Sequence, residues 1–253
     1  MKIISSKNNN LIIEIAKLKQ KKHRDEKKLF CVEGAKLLKE AFNSEYRVKY
    51  IIYAEDCAHE ITPGDFKIIK VTSEIHKKIT DEDGFEGVMC VLEKPDGQAC
   101  LKYNKPVIIL DNLQNPGNVG TIIRTADALC RADIILTGDC ADIYSGKTQR
   151  AAMGAIFRQN IKISKNIKRE LEILKKNSYN IFATYLNESS RPLESVKFDN
   201  KSAVIFGSEG GGLSVEIAEL CDDRIIIPVN PKSESLNVSV AAGIILWKIG
   251  GAL

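Results

Sequence analysis

Five apolar runs of strand length, none of them alternating, dominate the second half of this 253-residue chain. They are "PVIILD" (106–111), "ADIILTG" (132–138), "NIFATYL" (180–186), "AVIFGSE" (203–209) and "RIIIPV" (224–229). A strand with one wet face alternates polar and apolar residues; a continuous Ile/Val run belongs to a strand buried on both faces. Helical stretches separate most of these runs, at 117–130, 166–177, 213–221 and 237–249. Strands and helices in alternation predict an α/β fold, a parallel sheet with helices on both faces. In such sheets ligands sit beyond the carboxyl ends of the strands, and there this sequence concentrates its Gly, Asn, Ser and Glu. It contains no internal repeat.

The first ninety-five residues read as a separate, smaller α/β domain. Leu11, Ile12, Ile15 and Leu18 fall at helical spacing within 6–20, with Ser6 as the expected cap. "EGAKLLKEAF" (33–42) reads as a second helix and "SEIHKKI" (73–79) as a third. "VKYIIYA" (48–54), "FKIIKV" (66–71) and "GVMCVLE" (87–93) read as strands. Residues 96–105 lie in a stretch of Pro, Gly and mixed charge that suits a linker, and 106–253 form the larger domain.

Composition narrows the class. Hydrophobic residues make up 44% of the chain, enough for packed cores. The longest apolar run, "VAAGIILW", is far short of the ~18 residues a membrane span needs, and "MKIISSKNNN" has no signal-peptide core. Seven Cys without a C-x-x-C pair read as thiols in a reducing cytoplasm, with no metal site. The net charge of +4 is uneven: residues 1–28 carry nine Lys/Arg and three Asp/Glu, or +6, which leaves −2 for the rest. A basic end on a near-neutral body fits either a polyanion contact or an ordinary solvated helix face.

Three loops carry the polar residues. In "DNLQNPGNVGTIIR" (111–124), Pro116 and Gly117 turn the chain, Asn118 stands at the expected helix cap, and Arg124 follows on the helix. In "FGSEGGGLS" (206–214), four glycines allow close backbone approach to a ligand, but Glu209 takes the middle position of a G-x-G-x-x-G pattern. That carboxylate would repel a pyrophosphate and suits a partner with donors or positive charge. "SGKT" (145–148) is no Walker loop, because its leading Gly is Ala141. In "IPVNPKSESLNVSVAAG" (227–243), Ser235 and Asn237 precede a helix that opens on small residues. Singly, each loop is also what an ordinary capped turn looks like. All three His (His23, His59, His76) lie in the first domain, so the second has no imidazole base. Chemistry there must run on Arg, Asn, Ser, Glu and backbone dipoles, which fits a reaction whose cofactor supplies the reactive group.

Taken together, "NPGNVGTIIRTADAL", "VIFGSEGGGLS" and "IPVNPKSESLNVSVAAG" resemble the three motifs of the SpoU (TrmH-type) RNA ribose 2′-O-methyltransferases of the SPOUT superfamily. They occur in order, each after a strand, from Pro106 to the end; "LFCVEGAKLLKEA" resembles the small substrate-binding domain often found ahead of them. The resemblance implies a C-terminal trefoil knot, a homodimer, S-adenosylmethionine as methyl donor and RNA as partner. By similarity the cofactor lies against Thr184, Gly207, Ile227 and Leu236. The catalytic pocket falls to Asn118, Arg124, Glu209, Ser235 and Asn237. Similar enzymes are often described with this Arg as the base, but a guanidinium stays protonated below pH ~12. The expected role of Arg124 is therefore to grip an RNA phosphate and stabilise developing alkoxide charge. The expected substrate is a ribose of 23S ribosomal RNA. The alternatives are transfer RNA, a non-catalytic RNA-binding assembly factor on the same scaffold, and a dinucleotide enzyme, the last disfavoured by the failed Gly patterns.

Overall fold

The computed structural model describes residues 3–59, 64–80, 86–95, 99–187, 189–230, 232 and 235–251. Pro231, Ser233 and Glu234 of the third motif, and 96–98 of the expected linker, lie outside them. The chain divides into two compact units: residues 1–97 with Tyr144–Phe157, and residues 98–143 with 158–253.

The first unit holds a five-stranded sheet in the order β1-β4-β3-β5-β2, built from β1 (Ile3–Ile4), β2 (Leu29–Glu33), β3 (Val48–Ala54), β4 (Lys67–Val71) and β5 (Val88–Glu93). β1, β4 and β3 run parallel; β5 is antiparallel to β3 and β2. On one face α1 (Asn10–Lys17) and α4 (Ser73–Ile79) bury Ile12, Ile15, Ile75 and Ile79 against Ile52, Met89 and Val91. Burial of each such side chain is worth about 1.5–3 kcal/mol. α3 (Ala35–Phe42) packs on β2 and β5. α1 starts later than Ser6: Asn9 caps it, its side chain accepting from the Leu11 N–H at 3.0 Å. α2 (Lys21–Lys27) follows at once.

A segment from the middle of the chain completes this unit. Tyr144 packs on Phe30 (ring centroids 4.6 Å) and Phe157 on Tyr46 (5.3 Å). Between them α6 (Gly146–Ala152) is capped by Ser145, and Gln149 Nε2 donates to the carbonyls of Cys31 and Tyr144, both at 2.9 Å.

The second unit is a seven-stranded, wholly parallel sheet in the order β10-β12-β9-β11-β6-β7-β8. Its strands are β6 (Val107–Asp111), β7 (Asp133–Thr137), β8 (Ile161–Ile163), β9 (Asn180–Thr184), β10 (Arg191–Pro192), β11 (Ser202–Phe206) and β12 (Asp223–Ile226). β6, β7 and β11 are buried along their whole length, as their unbroken apolar runs require. One face packs Val107, Ile109, Ala203 and Ile205 under α7 (Ile167–Lys176) and α8 (Val215–Glu219). α5 (Pro116–Leu129) follows β6, and α9 (Val238–Gly250), which follows β12, packs against it. That return toward α5 is the path the implied knot needs. The order also has a switch point: the chain leaves β6 toward β7 and β8, then reappears on the other side as β9, β11 and β12.

Candidate active site

The loops after β6 and β11 and the start of α9 meet in a chain of hydrogen bonds. α5 begins at Pro116, and its cap is Asn115 in place of the expected Asn118: the Asn115 side-chain oxygen accepts from the Gly117 N–H (2.8 Å) and the Asn118 N–H (3.3 Å). Pro at the first helical position was the signal for this register, since its missing N–H costs nothing there. Asn118 thus sits inside the first turn with its amide free to reach outward. Its Nδ2 donates to Glu209 Oε1 at 3.0 Å, and its Oδ1 accepts from Asn237 Nδ2 at 3.3 Å. Asn237 caps α9, with Oδ1 accepting from Ser239 N (2.9 Å) and Ser239 Oγ (2.6 Å).

This chain is polarised. At one end Glu209 only accepts; at the other the Ser239 N–H only donates. Every amide between is therefore oriented, and each of Asn118 and Asn237 keeps one N–H for an incoming acceptor. The donors that Glu209 was expected to meet belong to the protein itself. Besides Asn118, the backbone N–H groups of Asn115 (3.2 Å) and Gln114 (3.4 Å) point at its carboxylate. Partial burial works to raise the Glu209 pKa, but these hydrogen bonds prevail and hold it below the ordinary carboxylate value.

Gly207 is buried directly after β11 because the next turn folds back on it. Ser208 and Gly212 exchange backbone hydrogen bonds (3.1 and 2.9 Å), and a Cβ at Gly207 would fall 2.2 Å from Gly212 C. Beside Gly210 and Gly243, by contrast, no atom of the described residues, apart from the chain neighbours and the backbone of α9 itself, lies within 4 Å of where a Cβ would stand. Thr184, at the end of β9, donates its hydroxyl to the Ile205 carbonyl at 2.8 Å, two residues before Gly207. Ile227 opens on a groove of about 770 Å³ whose walls include Phe198, Pro228, Ile244 and Trp247. Leu236 is half-buried just ahead of α9.

Two expected residues stay outside the hydrogen-bond chain. Arg124 is exposed on α5 and has no hydrogen-bond or ion-pair partner among the described residues; Ser235 is likewise exposed without a side-chain bond. Gly117 and Gly120 stand seven and four residues before Arg124 and so share its helix face. Sequence reasoning missed Asn115, which both caps α5 and meets Glu209. No group of three or more His, Cys, Asp or Glu among the described residues could hold a metal.

The basic N-terminal residues are less uniform than their sequence suggests. Arg24 is buried and donates from Nη1 to the carbonyls of Leu18 (2.8 Å) and Lys19 (2.7 Å), closing the end of α1. Lys7 pairs with Glu74 and Lys27 with Glu14. Lys17, Lys21, Lys22 and Lys28 remain exposed. Among the described residues no helix is long and apolar enough to cross a membrane.

Comparison with known proteins converges on one family. Residues 105–247 match the model of the SpoU rRNA Methylase family, and residues 9–90 match an MRM3-like substrate binding domain. The chain is 29% identical over 255 residues to the 23S rRNA (guanosine(2553)-2′-O)-methyltransferase RlmP of Bacillus subtilis, covering 99% of this chain and 100% of that protein. It is 28% identical to the mitochondrial rRNA methyltransferase 3 of Xenopus laevis, covering 94% of this chain and 72% of that one. The crystal structure of an AdoMet-bound rRNA methyltransferase from Sinorhizobium meliloti superimposes with a TM-score of 0.86 at 30% identity, over 98% of this chain and 97% of that one. With three motifs meeting at one end of a parallel sheet and a family model matched over more than half its length, the chain belongs to the SpoU family of RNA methyltransferases, which use S-adenosylmethionine.

Proposed function

We propose that this protein methylates a ribose 2′-hydroxyl in 23S ribosomal RNA, acting in the cytoplasm as a homodimer. The observation that carries the reading is the Glu209–Asn118–Asn237 chain, which joins the start of α5, the loop after β11 and the start of α9, with Arg124 further along α5. The residues fit the cofactor: the open space beside Gly210 and Gly243 and the apolar Ile227 suit a nucleoside held by backbone groups. Thr184, Gly207, Ile227 and Leu236 would hold it. Once bound, S-adenosylmethionine supplies an electrophilic methyl group.

This chain's own residues orient the acceptor. Arg124, exposed and unpaired among the described residues, offers a planar fork for the phosphate beside the target ribose. The spare N–H groups of Asn118 and Asn237 give hydrogen bonds only to acceptors, so they suit the ribose oxygen as negative charge grows on it. Glu209 acts through Asn118 by fixing its amide, and Ser235 adds a hydroxyl at the mouth. Lys17, Lys21, Lys22 and Lys28 supply the phosphate contacts of the first unit, which makes RNA affinity fall with added salt. The full-length likeness to a 23S rRNA methyltransferase supports the ribosomal substrate over transfer RNA. For the dimer, the support is a stripe on α9: Val240, Ile244 and Trp247 are 51%, 40% and 71% exposed at helical spacing. Light scattering of Trp247→Glu is expected to halve the particle mass.

Mapping of ribose methylation across total RNA, in cells with and without the protein, tests the assignment. One lost 2′-O-methyl in 23S RNA is expected; a loss confined to transfer RNA, or none, overturns it. Arg124→Lys keeps the charge but loses the fork, and near wild-type turnover by it would remove the clamp.

A further inference from the structure

The loop that holds Glu209 is itself braced from the neighbouring strand. β6 ends on Asp111, whose carboxylate is buried, and burying a carboxylate is costly unless it is hydrogen-bonded. Two donors meet it. Thr137, its register partner at the end of β7, donates its hydroxyl to Oδ1 at 2.7 Å. The Asn112 amide donates from Nδ2 to Oδ2 at 3.1 Å. The Asn112 side-chain oxygen accepts in turn from the Asp139 N–H at 3.0 Å. A backbone N–H can only donate and an ionised carboxylate can only accept, so this amide has one orientation.

Space is kept for it. Gly138 has φ +62°, and a Cβ there would fall 2.2 Å from Asn112 Oδ1. Asn112 has φ +57°, a left-handed conformation that Asn adopts more readily than most residues because its short side chain bonds locally. The chain thus leaves β6 through a left-handed turn whose side chain sits in a notch of the β7 loop. Leu113 comes next, fully buried, with its carbonyl accepting from the Ala141 N–H at 2.8 Å. Gln114 and Asn115 follow, both exposed, and their N–H groups reach Glu209 at 3.4 and 3.2 Å. Burial of Leu113 fixes where the loop lies. Packing does not hold the two exposed residues, so their aim depends on the turn before them.

We infer that Asn112 is a positioning residue for methyl transfer: its side chain, bridging Asp111 and the β7 loop, aims the Gln114 and Asn115 N–H groups at Glu209, which in turn fixes the Asn118 amide. This rests on the roles proposed above for Glu209 and Asn118. It extends the machinery to Gly138 and Asp139, in a loop outside the three motifs.

The bridge can be removed in two ways in the full chain. Asn112→Gly keeps the left-handed turn and loses the side chain; Gly138→Ala leaves Asn112 in place and crowds it out of the notch. Circular dichroism sets a temperature at which each variant is folded. The Glu209 carboxyl carbon, assigned with Glu209→Gln, is then titrated by NMR. Both variants are expected to raise its midpoint above the wild-type value, because two of its N–H donors withdraw. Tritium transfer from labelled S-adenosylmethionine to total RNA from cells lacking the protein gives the second readout. Asn112→Gly is expected to lose about ten- to a hundredfold in turnover, with KM for S-adenosylmethionine unchanged. In a Glu209→Gln background it is expected to cost nothing further, because both changes act through one carboxylate. A midpoint that stays at its wild-type value in the folded variants, or losses that multiply in the double variant, overturns the inference. Failure of wild type to methylate any RNA overturns the function proposed above, and the titration then decides the inference by itself.

Discussion

Glu209 collects three N–H donors on one carboxylate, so Glu209→Gln turns an acceptor into an amide whose NH₂ faces other donors. Hydrogen bonds to a charged group are worth about 1.5–3 kcal/mol. The expected result is a fall in methyl transfer of roughly ten- to a hundredfold in initial-rate assays, with far-UV circular dichroism unchanged. Gly207→Ala places a Cβ against the Gly212–Leu213 backbone and is expected to cost about 1–3 kcal/mol of stability and to weaken S-adenosylmethionine binding in calorimetry. At this scale the three motifs bring Asn118, Glu209 and Asn237 to notice in the sequence, and the structure joins these three in one hydrogen-bond chain while leaving Arg124 and Ser235 outside it. The capping of α5 by Asn115 had a local signal in Pro116, which the reading of Asn118 as the cap passed over. What the sequence hid was that the partners of Glu209 are N–H groups about ninety-five residues earlier, because that meeting depends on the parallel pairing of β11 with β6, which no local pattern encodes.

Among the elements, β8 is joined to α7 by a buried ion pair: Lys162 Nζ meets Glu170 Oε2 at 2.7 Å, with the two side chains 13% and 4% exposed. Lys162→Met strands a carboxylate and is expected to cost about 3–5 kcal/mol in urea unfolding; adding Glu170→Leu is expected to recover most of it. The long elements were legible because hydrophobic pattern decides them. β3 spans the residues its run marked, and α5, α7 and α9 lie within a residue or so of their periodic stretches. β8 and α6 were not. Three half-buried or exposed residues, Ile161–Ile163, make too short a run, and "GKTQRAA" has no apolar face. α6 is held by the Ser145 cap and by Gln149, whose Cys31 partner lies 118 residues away.

For the molecule as a whole, acid sensitivity has an identifiable source. His76 is 2% exposed in the first unit, and burial lowers its pKa from 6.5 to about 4, partly opposed by Asp56. The unfolded chain therefore takes up this proton first. Stability is full above pH ~6.5 and declines as pH falls toward 4, by about 3 kcal/mol in all. Urea midpoints measured between pH 7 and 4 are expected to fall over that window and to flatten in His76→Leu. The division into units was only partly visible in the sequence. A boundary near residue 96 follows from composition, but the membership of Tyr144–Phe157 in the first unit does not, because it rests on rings more than a hundred residues apart. Cutting away residues 1–95 would leave Tyr144 and Phe157 without Phe30 and Tyr46, and such a fragment is expected to aggregate in sedimentation runs.

The strand order also governs when the second unit can form during synthesis. β9 pairs only with β11 and β12, both made after it, so the nascent sheet emerging from the ribosome holds β6, β7 and β8 while β9 waits with bare edges. Until residues 202–206 clear the exit tunnel, the middle slot between β6 and β9 stays vacant. Assembly of this unit is therefore a late event of translation, governed by contacts far apart in sequence and correspondingly slow.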